Sequence, residues 1–200
     1  MRRSAALVLA ATALVAAGCG GTDSSDGPET AASGALEAPQ PITAQGTFSG
    51  YSPGRKAVSY DSALVPSGAT AHLVIGQVVD TTTVTLSVTG LLPNRTYGAH
   101  LHTKPCGATG EAAGPHYQHR MDPAASASPP SVNPAYANAQ NEVWLDVTTD
   151  SQGDGESKST QMWVFTETPK SLVIHADKTQ TMAGRAGTAG KRVACLSVNS

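Results

Sequence analysis

The sequence predicts an all-β domain, and three observations lead there. Aromatic residues make up only 4% of the chain and charged residues 14%, against 40% apolar. A core must therefore be built from Val, Leu, Ile, Ala and Thr, a mixture that suits strands better than helices. Short runs of alternating apolar and polar residues recur between turn signals, and from residue 45 onward no stretch keeps a helical period for three turns. Antiparallel sheets packed as a sandwich or barrel follow.

In TVTLSVTG (83–90), Val84, Leu86 and Val88 fall on one face. NEVWLDVTT (141–149) repeats the pattern with Val143, Leu145 and Val147. The turn DSQGDGES (150–157) then leads to TQMWVFTE (160–167), and the two runs are expected to pair as a hairpin. AHLVIGQVV (71–79), SLVIHA (171–176) and RVACLSV (192–198) supply further strands. Two segments interrupt this rhythm: 103–140, rich in Pro, Ala, Gly and Ser, and 177–191. Long loops in a compact domain are usually functional or disordered. Every histidine other than His72 lies in or beside these two.

Ahead of the domain, MRRSAALVLAATALVAAGCGG carries two arginines, an apolar run from Ala5 to Ala17 and small residues before Cys19. This is the pattern of an export signal over residues 1–18, and the run falls short of the roughly 20 apolar residues a spanning helix needs. The AAGC ending resembles the lipobox of bacterial lipoproteins. That resemblance implies a lipidated Cys19 and a membrane partner, with the protein anchored at the extracytoplasmic face of the cell membrane; simple secretion is the alternative. Residues 20–44, rich in Gly, Ser, Ala, Pro and acids, read as a disordered tether behind Cys19. One folded domain, 45–200, remains. With Cys19 set aside, Cys106 and Cys195 can pair in the oxidising space outside the cytoplasm.

Residues 45–200 hold eleven Lys/Arg and eleven Asp/Glu, so nothing favours nucleic acid or another polyanion as a partner. Residues 170–200 are uneven: Lys170, Lys178, Arg185, Lys191 and Arg192 face only Asp177.

In GAHLHTKPCG (98–107), His100 and His102 alternate, so on a strand both rings point to one face. Spacing alone leaves open a metal site or a satisfied surface pair. His116 sits in AGPHYQH with His119 three residues on, and His175 ends the apolar run Leu172 to Ile174.

GLLPNRTYGAHLH, AGPHYQH, SLVIHA and AGKRVAC stand in the order, and at about the separations, of motifs of the copper/zinc superoxide dismutase family, which the chain resembles in pieces from about residue 85 to 198. The resemblance implies a Greek-key, immunoglobulin-like β-sandwich or flattened eight-stranded barrel with two long functional loops. It implies copper ligands His100, His102, His116 and His175, with His116 the histidine that also bridges to zinc in the family. Four imidazoles suit Cu(II) in a near-square arrangement. It further implies a Cys106–Cys195 disulfide and places Arg192 at the mouth of the site, where a guanidinium attracts an anionic substrate; Lys191 and Arg185 extend that field. The implied activity is superoxide dismutation to dioxygen and hydrogen peroxide by a redox-cycling copper, with His116 taking and returning a proton. The family contains both homodimers and monomers, so a homodimer is open.

The sequence departs from the family on the zinc side. Aligning Asn141 with the family's asparagine puts Asn138 and Ala135 where a zinc-binding aspartate and histidine belong, and neither can replace them. A different set, His116, His119 and Asp122, with a fourth oxygen from Asp146 or water, could hold zinc; a copper-only site is the favoured expectation. Only nineteen residues separate His175 from Cys195, a short second loop without evident acidic steering residues. His72 matches no ligand and reads as structural. A copper storage or delivery lipoprotein with little turnover is the alternative function, and an adhesion or structural module the third.

Overall fold

Alternation sorts side chains onto two faces, and the computed structural model, which describes residues 39–125 and 130–198, turns that sorting into a β-sandwich. One sheet has the order β1 (Ile42–Thr47), β3 (Thr70–Val78), β4 (Thr81–Thr89), β7 (Gly155–Gln161). The other runs β2 (Ala57–Ser59), β9 (Arg192–Ser197), β8 (Ser171–His175), β5 (Thr96–His102), β6 (Val147–Thr148). All pairings between these strands are antiparallel. The chain changes sheet five times, at β1–β2, β2–β3, β4–β5, β6–β7 and β7–β8, so β8 lies beside β5 and β7 beside β4. Such non-consecutive neighbours are what Greek-key connections produce. Among the described residues the single helical element is a 3-10 turn, Gly110–Ala113.

In β4, Thr82, Val84, Leu86 and Val88 are buried while Thr83, Thr85 and Ser87 lie half-buried on the other face. The buried row meets Tyr97, Leu101, Leu172 and Ile174 from the opposite sheet. Each fully buried Leu or Ile contributes about 1.5–3 kcal/mol. β5 departs from this one-sided pattern. From Tyr97 to His102 every residue is buried, because Tyr97, Ala99 and Leu101 face the core while loops cover His100 and His102.

Three expectations change. Segment 141–149 keeps its alternation, with Val143, Leu145 and Val147 buried, but only Val147–Thr148 pairs as a strand. Its other face carries Glu142, Trp144 and Asp146 toward the histidines, where Trp144 makes one isolated bridge to His100. The hairpin expected with 160–167 does not form. β7 starts earlier and pairs with β4, in register Thr85↔Lys158 and Ser87↔Glu156. Gly155 makes the crossing: a Cβ there would stand 2.8 Å from Val147 Cγ2 and 2.9 Å from the Thr148 carbonyl oxygen. The sandwich therefore has nine strands among the described residues rather than eight.

The third change is the start of the domain. β1 begins at Ile42, inside the stretch read as tether, and pairs with β3 from Ile42↔Ile75 to Thr47↔Thr70. Small residues give that strand little alternation to read, although Ala44 is buried and Ile42 packs against the core. The export segment 1–18, Cys19 and most of the tether lie outside the described residues.

Candidate metal centre

The centre is built on the covered outer face of the five-stranded sheet. β5 and β8 pair with His100↔Val173 and Gly98↔His175, which brings the end of β8 beside the two alternate histidines of β5. The β8–β9 register shifts between Ile174 and His175; an irregularity of this kind re-aims a side chain. The first long loop folds back along the end of β5: Thr103 and Lys104 donate their N–H groups to Pro115 and Ala113, and Tyr117 donates to Leu101. That return sets His116 opposite His102. One nitrogen from each of His100, His102, His116 and His175 lies within 4.8 Å of the other three.

These rings are prepared as ligands rather than as charges. His102 Nδ1 lies 2.9 Å from the Gly114 carbonyl oxygen and His175 Nδ1 3.4 Å from that of Gly190. A carbonyl only accepts, so both rings carry their proton on Nδ1 and present Nε2 as a lone pair. His102 Nε2, His175 Nε2 and His100 Nδ1 are buried without any hydrogen-bond partner. Three orphaned nitrogens converging on one point are costly in a folded protein unless something else occupies them. Burial first, and then the charge of neighbouring imidazoles, holds His100 and His102 well below the ordinary histidine range, and lowers His175 to about 3. All three are neutral at pH 7, the form that binds a metal.

The fourth ring is held differently. His116 Nδ1 lies 2.8 Å from Glu142 Oε2. Glu142 is 1% exposed, and its carboxylate also accepts from Trp144 Nε1 at 2.7 Å and Gln118 Nε2 at 2.8 Å. Three N–H donors around one buried carboxylate satisfy it as an anion. Sequence reading missed Glu142, although the alternation of 141–149 already placed it with Trp144 and Asp146 on the face opposite the core valines. Trp144 sets its ring 6.0 Å from His100.

The residues expected on the zinc side are not gathered. His119 is exposed and stacks on Trp163 with centroids 4.7 Å apart. Asp122 is buried and braces its own loop, accepting from Ser131 Oγ at 2.6 Å and the Ala124 N–H at 2.9 Å. Asp146 instead binds Thr179, through both its backbone N–H and its hydroxyl. Asn138 accepts from the N–H groups of Gln140 and Asn141, and Asn141 joins Arg120 to Tyr136. Both are turn braces, and Ala135 is exposed. Among the described residues the one His/Cys/Asp/Glu group able to hold a metal is the four-histidine set.

The expected disulfide is present. Cys106 and Cys195 form it, with Cα atoms 5.7 Å apart and a sequence separation of 89. Val173, Ala113 and Tyr60 pack around it. Arg192 Nη1 donates to the Gly110 carbonyl at 3.0 Å and the Gly114 carbonyl at 2.8 Å. It thus shares the Gly114 oxygen with His102. Lys191 and Arg185 are exposed nearby in sequence, and His72 is exposed on the other sheet, paired with Gln45.

A two-sheet antiparallel sandwich with four converging, partly orphaned imidazoles on one face and a disulfide at the rim defines a metal-binding β-sandwich. The profile of the copper/zinc superoxide dismutase family matches residues 69–198, and the chain belongs to that family. Among solved structures it is similar to a Cu/Zn superoxide dismutase from Brucella abortus, with 16% identity and a TM-score of 0.52 over 80% of this chain and 100% of that one. A double mutant of a superoxide dismutase-like protein from Bacillus subtilis aligns at 15% identity and a TM-score of 0.46, over 65% of this chain and 89% of that one. No curated protein sequence matches the chain.

Proposed function

We propose that the protein dismutes superoxide at a copper ion held by His100, His102, His116 and His175, without zinc, outside the cytoplasmic membrane. The observation that carries this reading is the set of neutral imidazoles with orphaned ring nitrogens facing one another. Four nitrogen donors and no thiolate are what Cu(II) prefers, since both nearby cysteines are bound to each other. Copper held by these four histidines would supply one-electron exchange with two successive superoxide ions. The chain supplies the rest. Arg192, fixed by two backbone carbonyls, draws the anion to the rim and orients it. His116, its Nδ1 proton held by Glu142, has Nε2 as the atom that would hold the copper or, when not bound to it, a proton that it can take and return.

Glu142 also supports the copper-only reading. It occupies the hydrogen-bonding nitrogen of His116 that a zinc ion would need, and the other zinc candidates serve loop and stacking contacts. A lipid on Cys19 would keep the domain at the membrane surface, on the side where superoxide made outside the cell arrives.

The test is to load the purified protein with copper alone or with copper and zinc, measure bound metal, and follow superoxide decay. One copper and no tightly held zinc per chain is expected. Decay should be fast, abolished by His175→Ala and slowed about tenfold or more by Arg192→Ala. Stoichiometric copper with a negligible rate that neither substitution changes would favour copper storage or delivery instead.

A further inference from the structure

The four rings are not held alike. His102, His116 and His175 each engage a partner through Nδ1, whereas His100 engages through Nε2, which lies 2.7 Å from Thr179 Oγ1. Its Nδ1 is the orphaned atom. His100 is therefore turned the other way round from its neighbours. A hydroxyl is an ambiguous partner for such a ring, because it can donate or accept. Left to itself, Thr179 could donate to Nε2 and put the ring proton on Nδ1, facing the other imidazoles.

Asp146 removes the ambiguity. Its Oδ2 accepts the Thr179 backbone N–H at 2.8 Å and its Oδ1 accepts the Thr179 hydroxyl. The hydroxyl has one proton, and it is spent on the carboxylate. Toward His100 the oxygen then only accepts, so His100 carries its proton on Nε2 and leaves Nδ1 bare. Asp146 stands 4.0 Å from His100 Nε2, beyond hydrogen-bond reach, so the hydroxyl is needed as the link. The second loop is seated to provide it. Gly98 of β5 donates to the Asp177 carbonyl at 2.8 Å. A Cβ on Gly98 would come within 2.8 Å of that oxygen and 3.1 Å of Thr179 Oγ1.

We propose that Thr179 is a positioning residue of the metal site, its hydroxyl turned by Asp146 so that His100 is locked as the Nε2–H tautomer with Nδ1 presented to the metal. The second loop, although short, then acts on the centre through this hydroxyl as well as through the Gly190 carbonyl beside His175. Outer partners of this kind orient metal-binding histidines, and their loss commonly costs about 10–100-fold in metal affinity.

The first test needs no metal. In the metal-free, ¹⁵N-labelled protein, long-range ¹H–¹⁵N spectra report each histidine tautomer. A single Nε2–H form of His100 is expected in the parent and in Thr179→Ser. Thr179→Val should give Nδ1–H or a mixture, and Asp146→Ala, which frees the hydroxyl to turn, should do the same should Thr179→Val not fold. Retention of the parent tautomer in Thr179→Val, or in Asp146→Ala where only that variant folds, overturns the proposal. The second test rests on the copper reading. Cu(II) electron paramagnetic resonance should show one four-nitrogen signal in the parent and Thr179→Ser, and an altered hyperfine splitting with affinity about tenfold or more weaker in Thr179→Val. An unchanged signal and affinity in Thr179→Val counts against Thr179. Absence of copper binding in the parent counts against the copper reading alone, since the tautomer measurement still decides the role of Thr179.

Discussion

The two sides of His116 are built by different means. On one side, His100, His102 and His175 come from the paired strands β5 and β8, beside a disulfide that fixes the rim. On the other, where the family places zinc, a loop is held together by hydrogen bonds to Glu142, Asn141 and Asp122. A buried carboxylate with three N–H donors does there what a cation would do for the ring: it fixes the direction of His116. The comparison teaches that a ligand ring can be aimed either by the strand that carries it or, on a loop, by one buried carboxylate with three N–H donors.

The largest effect should come from cutting the covalent staple of the strand-built side. Replacing Cys106 and Cys195 together by Ser relaxes an 89-residue closure, worth about 4–5 kcal/mol in chain-entropy terms. Thermal unfolding of the metal-free protein should fall accordingly; an unchanged melting temperature would mean that strand pairing alone carries that side.

Acid should weaken the same side by a comparable amount. His175 is held at about 3, mainly by burial, against 6.5 for an ordinary histidine, and His100 and His102 are lowered in the same direction. Their folded-state values are depressed, so the unfolded chain takes up protons first as the pH falls. The stability they contribute is complete above about 6.5 and is lost progressively as the pH drops toward 3. Denaturant titration of the metal-free protein across that window should lose on the order of several kcal/mol, at about 1.4 kcal/mol per unit for each histidine that stays neutral only when folded. A flat profile would contradict the burial of the cluster.

Glu142→Gln sharpens the contrast from the loop side. An amide keeps one acceptor but turns an NH2 toward His116 or one of the other donors, at a cost of about 1–3 kcal/mol. The His116 ring should lose its fixed tautomer, and superoxide decay should slow while copper stays bound through the strand-built histidines. Loss of copper instead would show that the loop holds the metal as firmly as the strands. The smallest effect belongs to His119→Ala. It removes a stacking contact on Trp163, about 0.5–1.5 kcal/mol, and should leave metal content unchanged. A fall in bound zinc on this substitution would break the copper-only reading.

Much of this was legible in the order of residues. The alternation of 83–90 returned as β4 with the expected buried face. His100 and His102 had to share a face because a strand repeats every two residues. His116, His175, Arg192 and the two cysteines were found through motif resemblance, and the structure gathers the histidines within 4.8 Å and closes the disulfide. The error at 141–167 has a common cause. Alternation reports which face is buried and is silent about which strand lies alongside, so 141–149 was paired with its sequence neighbour while β7 crossed to the other sheet. Thr179 and Glu142 escaped notice because a threonine in a loop and a glutamate beside an asparagine carry no local signature.

By itself the sequence determined the sheet-forming character of the chain and the face on which two histidines stand. These depend on residue type and short-range periodicity, which are properties of neighbours along the chain. Only the tertiary structure decided that Glu142 faces His116, that Asp122 and His119 serve the loop, and that Thr179 stands between Asp146 and His100. Each of those is a hydrogen bond or stacking contact a few ångströms long between residues from 26 to 79 positions apart, except for Asp122, whose partners Ala124 and Ser131 lie two and nine positions away. Which partner a buried polar group finds is set by the packing of the two sheets and their loops, and that packing is where the chemistry of the centre was chosen.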